Sequence, residues 1–150
     1  ATSIAVAAGA TVDLGGTVQT LADLSGSGLV SNGLLTVTGN IAPGGSGSLG
    51  TLTLAATVAA SGALLADIGA GGSSDRLAVQ GNLDITGLDL VLANQAALDH
   101  SKTYTLITCT GTLTGTFASS NLSDTRWHVR YATDGTVTLI FVDGTLLNIR

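Results

Sequence analysis

The chain of 150 residues contains no Glu and no Met, and only one Pro, one Cys and one Lys. Long surface helices fill their polar face with Glu, Lys, Arg and Gln, so a helical protein is not expected. Charged residues amount to 10% and aromatics to 3%, where ordinary soluble domains carry roughly a quarter charged. The lone Cys109 excludes an intramolecular disulfide framework and a Cys-rich zinc site. No apolar run reaches the ~20 residues that a bilayer-crossing helix needs. Five Lys and Arg against ten Asp leave a net charge of −5 and no basic footprint for a polyphosphate, so nucleic acid is not an expected partner.

What is present is apolar and small. Residues of the hydrophobic class make up 45%, alongside 21 Gly, which is too apolar for disorder. The chemistry is uneven along the chain. Residues 1–75 hold Asp13, Asp23, Asp67 and Asp75 but no cation, whereas Arg76, Lys102, Arg126, Arg130, Arg150 and both His follow. All five aromatics, Tyr104, Phe117, Trp127, Tyr131 and Phe141, also lie late. The opening ATSIAVAAGA lacks the basic stretch before an apolar run that marks an export signal, and reads as a first structural rung.

Short segments with apolar residues at every second position recur between glycine-rich breaks. They include LLTVT at 34–38, TLTL at 51–54, LDLVL at 88–92, YTLIT at 104–108, WHVRY at 127–131 and TVTLIF at 136–141. Period-two alternation of Thr, Val, Ile and Leu predicts half-buried strands. The breaks SGSG, SNG, PGGSGS, GAGGSS and DG supply turn residues. Only ANQAALDHSK at 93–102 offers a turn of helix. Large aromatics that would fill a sandwich core are absent before Tyr104, and the segments repeat a strand, glycine corner, strand rhythm without an exact period. Both observations favour stacked coils with corners of varying length.

The stretch VAAGATVDLGGTVQTLADLSGSGLVSNGLLTVTGNIAPGGSGSLGTLTL resembles the passenger-associated repeat of bacterial autotransporters, with its LsGsG, nG.Lt and i.PG.s.GtLtl pattern. The later stretches GALLADIGAGGSSDRLAVQGNLDITGLDLVL, YTLITCTGTLTGTF and WHVRYATDGTVTLIFV resemble the continuation and last rungs of such passengers. The likeness covers nearly the whole chain, although no membrane-barrel sequence follows GTLLNIR and no effector domain precedes the repeats within these residues. It implies an all-β, right-handed parallel β-helix, or β-solenoid, with a hairpin-containing C-terminal end. The expected organisation is one domain over 1–150, with a repeat body at about 1–100 and a capping region at about 101–150. Six or seven coils of roughly twenty residues each are expected.

Candidate chemistry is sparse. A formal GxGxxG at Gly45, Gly47 and Gly50 follows Pro43 and precedes a strand, so it lacks the helix that a dinucleotide site requires. The GGSG run is followed by Ser48 and Leu49, without the Asp of calcium-binding nonapeptides. Asp75, Asp84 and Asp89 cluster in sequence, and a carboxylate pair ~5–9 Å apart can cleave glycosidic bonds. Asp84 and Asp89 alternate with leucines, however, and read as solvated outer-face residues. His128 and Arg130 share one strand face, opposite Trp127, Val129 and Tyr131, and with Arg126 offer an anion or sugar site; the alternative is that Trp127 and Tyr131 plug the coil end while the cations meet water. His100 beside Asp99 has no third partner for a triad or metal site, and Asn121-Leu122-Ser123 fits a glycosylation sequon.

No catalytic, cofactor-binding or metal site is therefore expected, and the chain is not read as an enzyme. The first rung, SIAVAAGATVDL, has no charge before Asp13 and no Pro, so its strand edge is unprotected. Ile4, Val6, Val12, Trp127, Tyr131 and Phe141 are the candidates for end-to-end contact. The expected role is structural: a secreted or cell-surface passenger segment, or a fibre subunit stacking head to tail, in a Gram-negative-type bacterium. Self-association through the ends and surface glycans are the expected partners. A carbohydrate-binding or adhesin module is the alternative, with a polysaccharide-degrading β-helix enzyme behind it.

Overall fold

The computed structural model describes residues 2–45 and 47–142. The protein is all-β, with fourteen strands in one curled, mixed sheet. In chain order they are β1 (Thr2–Val6), β2 (Thr11–Gly26), β3 (Leu29–Val37), β4 (Asn40–Pro43), β5 (Thr51–Ala60), β6 (Ala63–Asp67) and β7 (Arg76–Val79). Then follow β8 (Leu83–Asp84), β9 (Asp89–Ala93), β10 (Tyr104–Cys109), β11 (Leu113–Thr114), β12 (Ser119–Ser120), β13 (Trp127–Tyr131) and β14 (Thr136–Phe141). The two strands expected at 127–131 and 136–141 match β13 and β14 residue for residue. The expected turn of helix in 93–102 is a short 3-10 turn, Gln95–Ala97.

Parallel pairing dominates and falls into three ladders. The first joins the start of β2 to the start of β3, then to β5, β7 and β10. The second joins the middle of β2 to the ends of β3 and β5, then to β8 and β11. The third joins β1 to the end of β2, then to β4, β6, β9 and β12. Long strands such as β2 serve more than one ladder because the pairing register breaks between Asp13 and Thr17, where Gly15 and Gly16 take positive φ of 65° and 74°. Only a residue without Cβ turns there at no steric cost.

Parallel register brings like residues onto like residues. Val12, Val30, Leu54, Val79 and Cys109 align along the first ladder. Ile4, Leu24, Ile41, Leu64 and Leu90 align along the third. Apart from the terminal Val12 and Ile4, every one of these side chains is buried. The core is thus columns of aliphatic side chains, and burial at period two follows from the strand pleat. The intervals along the third column are 20, 17, 23 and 26 residues. The expected spacing of about twenty holds only early, because later loops such as 68–75 and 94–103 lengthen the path between ladder positions.

The last strand reverses direction. β10 pairs with β14 antiparallel, and β14 with β13 antiparallel. The β13–β14 hairpin turns at Asp134-Gly135, where Gly135 has φ of 87° and Asp134 Oδ1 accepts the Thr136 N–H at 3.0 Å. The Gly135 carbonyl accepts the Cys109 N–H at 3.0 Å, tying the turn to the parallel body.

Candidate functional site

At one limit of the ladders lie β1 and the beginning of β2. Among the described residues β1 pairs with no strand but β2, and Thr11–Asp13 pair with no strand but β3. Their other edge therefore presents backbone donors and acceptors with no strand among the described residues beside them. Val6 is buried, and Ile4 and Val12 are half-buried although they head columns whose later members are fully covered. The three N-terminal candidates for end contact thus share one end of the molecule.

The acidic residues near this edge are committed elsewhere. Asp13 accepts the Gly15 N–H at 2.8 Å and the Asn32 side-chain amide at 2.9 Å. Those bonds, the backbone one foremost, hold its carboxyl below the ordinary range. Asp23 accepts the Asn40 N–H at 2.7 Å and the Ser3 hydroxyl at 3.3 Å. Edge strands are commonly guarded by charges or proline aimed into the gap, and here the carboxylates instead brace corners. Beside the edge, Val18 and Leu34 are 67% and 48% exposed and line a shallow groove of about 310 Å³ with Thr57 and Ala59.

The opposite end carries the aromatics. Trp127 is buried, with its ring centroid 5.3 Å from Phe141 and 5.8 Å from Tyr104, both at steep angles. His100 stacks on Phe141 at 3.9 Å, and the Arg126 guanidinium lies 5.0 Å from the same ring. Arg126 also forms the Asp124 ion pair at 2.9 Å, which holds the Asp124 carboxyl down at about 2. Tyr131 is separate from this group: it packs on Phe117 at 6.2 Å and its hydroxyl accepts the Phe117 N–H at 2.9 Å. Burial pushes that phenol above its usual range. Trp127 is therefore a core residue, while Tyr131 and Phe141 are half-buried against neighbours in their own chain. His128 and Arg130 are exposed on the opposite strand face, as the alternation requires.

The sequence cluster of Asp75, Asp84 and Asp89 does not converge. Asp84 lies in the second ladder and accepts the Thr86 hydroxyl at 2.7 Å and its N–H at 2.9 Å, which lower its carboxyl pKa. Asp89 lies in the third ladder and accepts the Ser119 hydroxyl at 2.8 Å. Asp75 is buried at the corner before β7, accepting the Gly50 N–H at 2.8 Å and the Asp67 N–H at 2.9 Å. Burial raises its carboxyl to about 6, the nearby Asp67 charge adds to that, and the two amide bonds oppose it. The closeness of Asp67 and Asp75 escaped sequence reasoning; their positions flanking the glycine loop of DIGAGGSSD are the signal for it. Asn121 of the sequon also has a structural role, since its amide bonds both the Leu92 N–H at 2.8 Å and the Leu92 carbonyl at 3.1 Å. Among the described residues no group of three His, Cys, Asp or Glu is placed to hold a metal ion, and no helix is long and apolar enough to cross a membrane. No protein-family model matches the chain, and no curated protein matches it.

Proposed function

We propose that the three ladders are the faces of a right-handed parallel β-solenoid, and that this solenoid is a non-enzymatic structural element of the bacterial cell surface or extracellular space. It acts as a passenger segment or as a fibre subunit whose ends stack head to tail. Right-handedness follows the general chirality of parallel crossover connections. The observation that carries the functional reading is the edge of β1 and Thr11–Asp13, which no strand among the described residues covers, with Ile4 and Val12 half-buried at the head of aliphatic columns. A second copy supplies what that edge lacks. At the other end β11, β12 and the outer side of β13 likewise have no further strand among the described residues. Joining the two ends continues each ladder, and heterologous contacts that do not close give linear assemblies. The carboxylates add no competing chemistry, since Asp75, Asp84 and Asp89 each serve a corner or a neighbouring loop.

Sedimentation velocity and negative-stain imaging across a concentration series test this reading. The expected result is concentration-dependent rods that lengthen along one axis, and their loss in Val12→Lys, which places a charge on the open rung. A wild-type chain that stays monomeric at its highest soluble concentration overturns the head-to-tail proposal.

A further inference from the structure

A cleft outside both ends gathers unused polar groups. Arg76 opens β7, directly beside Thr51 of β5 in the first ladder. Its neighbour Leu77 points into the core and Arg76 itself is exposed. The 69–73 loop rises on one side and the start of β10 on the other, where pairing with β14 shifts register between Thr105 and Ile107. Together they leave a cavity of about 410 Å³ lined by Arg76, Thr51, Ser73, Ser74, Thr103 and Thr105. The Ser74 hydroxyl donates to the Thr105 carbonyl at 3.3 Å. The hydroxyls of Thr51, Ser73, Thr103 and Thr105 have no protein partner among the described residues.

The cations separate in the same way. Arg126 is held by Asp124 and Phe141, while Arg130 and Lys102 lie close enough to Asp134 and Asp99 to lower their carboxyls slightly. Among the described residues Arg76 forms no ion pair. Asp75, next to it in sequence, faces away into the protein and holds the Gly50 and Asp67 amides. The aliphatic stem of Lys102 lies beside Gly72, which also lines the cavity.

We propose that this cleft binds an acidic saccharide, a polyol carrying a carboxylate or sulfate group. The guanidinium takes the oxyanion through two parallel hydrogen bonds, and the ring of Thr and Ser hydroxyls exchanges hydrogen bonds with the sugar hydroxyls. The cleft is open to solvent along its outer side and holds about 410 Å³. Among the described residues no aromatic ring lines it, so a neutral sugar has no stacking platform and the anion supplies the selectivity. The proposal stands apart from end-to-end association, since none of these residues belongs to β1 or to the start of β2.

Isothermal titration calorimetry and amide chemical-shift mapping on the full chain test it, with a digalacturonate, a sulfated disaccharide, a neutral disaccharide and inorganic sulfate as probes. The expected result is saturable one-to-one binding of an acidic disaccharide, with shifts centred on Thr51, Ser73, Ser74 and Thr103 and no binding of the neutral one. Preference for the uronate assigns a carboxylate ligand, and preference for the sulfated sugar assigns a sulfate ligand. Arg76→Gln is expected to weaken binding by about tenfold or more, the loss of a charge-assisted pair, with partial recovery in Arg76→Lys. Should Arg76→Gln fail to fold, the wild-type shift map still decides. Absence of binding by both acidic sugars, unchanged affinity in a folded Arg76→Gln, shifts centred elsewhere, or inorganic sulfate binding as tightly as the disaccharides would each overturn the proposal.

Discussion

Asp75 makes stability depend on pH in an unusual direction. Its carboxyl is raised from 3.8 to about 6 because folding buries it beside Asp67, so the folded state favours the protonated form more than the unfolded chain does. The stabilisation from this proton is fully present below the unfolded value of 3.8 and fades as pH rises through about 6. A shift of two units corresponds to roughly 3 kcal/mol in all; between pH 7 and pH 5 linkage delivers only part of it, about 1 kcal/mol. The other shifted carboxylates act oppositely. Asp13, Asp84, Asp99, Asp124 and Asp134 are all lowered by hydrogen bonds, so their contributions disappear as pH falls below the ordinary carboxylate range. The two effects oppose each other, so Asp75 adds stability as pH falls from 7 toward 5, before the lowered carboxylates begin to take up protons. Urea unfolding followed by circular dichroism at a series of pH values measures this, with a higher midpoint expected at pH 5 than at pH 7. Asp75→Asn removes the proton and should flatten that rise, while weakening the corner because one of the Gly50 and Asp67 amides loses its acceptor. A midpoint that falls steadily from pH 7 to pH 5, or an unchanged slope in Asp75→Asn, would refute the assignment.

Two further variants probe the column and the closing hairpin. Leu64→Ala empties a fully buried position between Ile41 and Leu90 in the third ladder and should lower unfolding free energy by about 2–5 kcal/mol; a loss below about 1 kcal/mol in urea titration would mean the column relaxes to fill the gap. Gly135→Ala adds a Cβ against the Cys109 carbonyl at a φ of 87°, where an L-residue costs about 1–2 kcal/mol before any clash. It should destabilise by about 2 kcal/mol or more and move Trp127 emission to longer wavelength as the hairpin loosens over it, and an unmoved spectrum and midpoint would show that the turn does not hold this end.

Period-two alternation is a local property, so the strands around LLTVT, TLTL, WHVRY and TVTLIF could be read from the residues, as could the Asp134-Gly135 turn between the last two. All-β character likewise followed from composition, because the chain lacks the side chains that solvate helices. Register was not legible. That Ile4 meets Leu24, and Leu24 meets Ile41, depends on corners of different length closing over one another, and many spacings satisfy the same alternation. The aromatic end shows the same limit. Trp127, Tyr131 and Phe141 look alike as late apolar residues, yet only packing sends Trp127 and Phe141 to His100 and Tyr131 to Phe117. The residues alone therefore sufficed for the longer alternating strands, the Asp134-Gly135 turn and the lack of charge before Asp13. Tertiary structure decided that Asp75 meets Asp67 at a buried corner and that Arg76 faces a ring of hydroxyls. Those meetings join residues on different strands and loops, and they arise only once parallel pairing has set the chain's successive passes side by side.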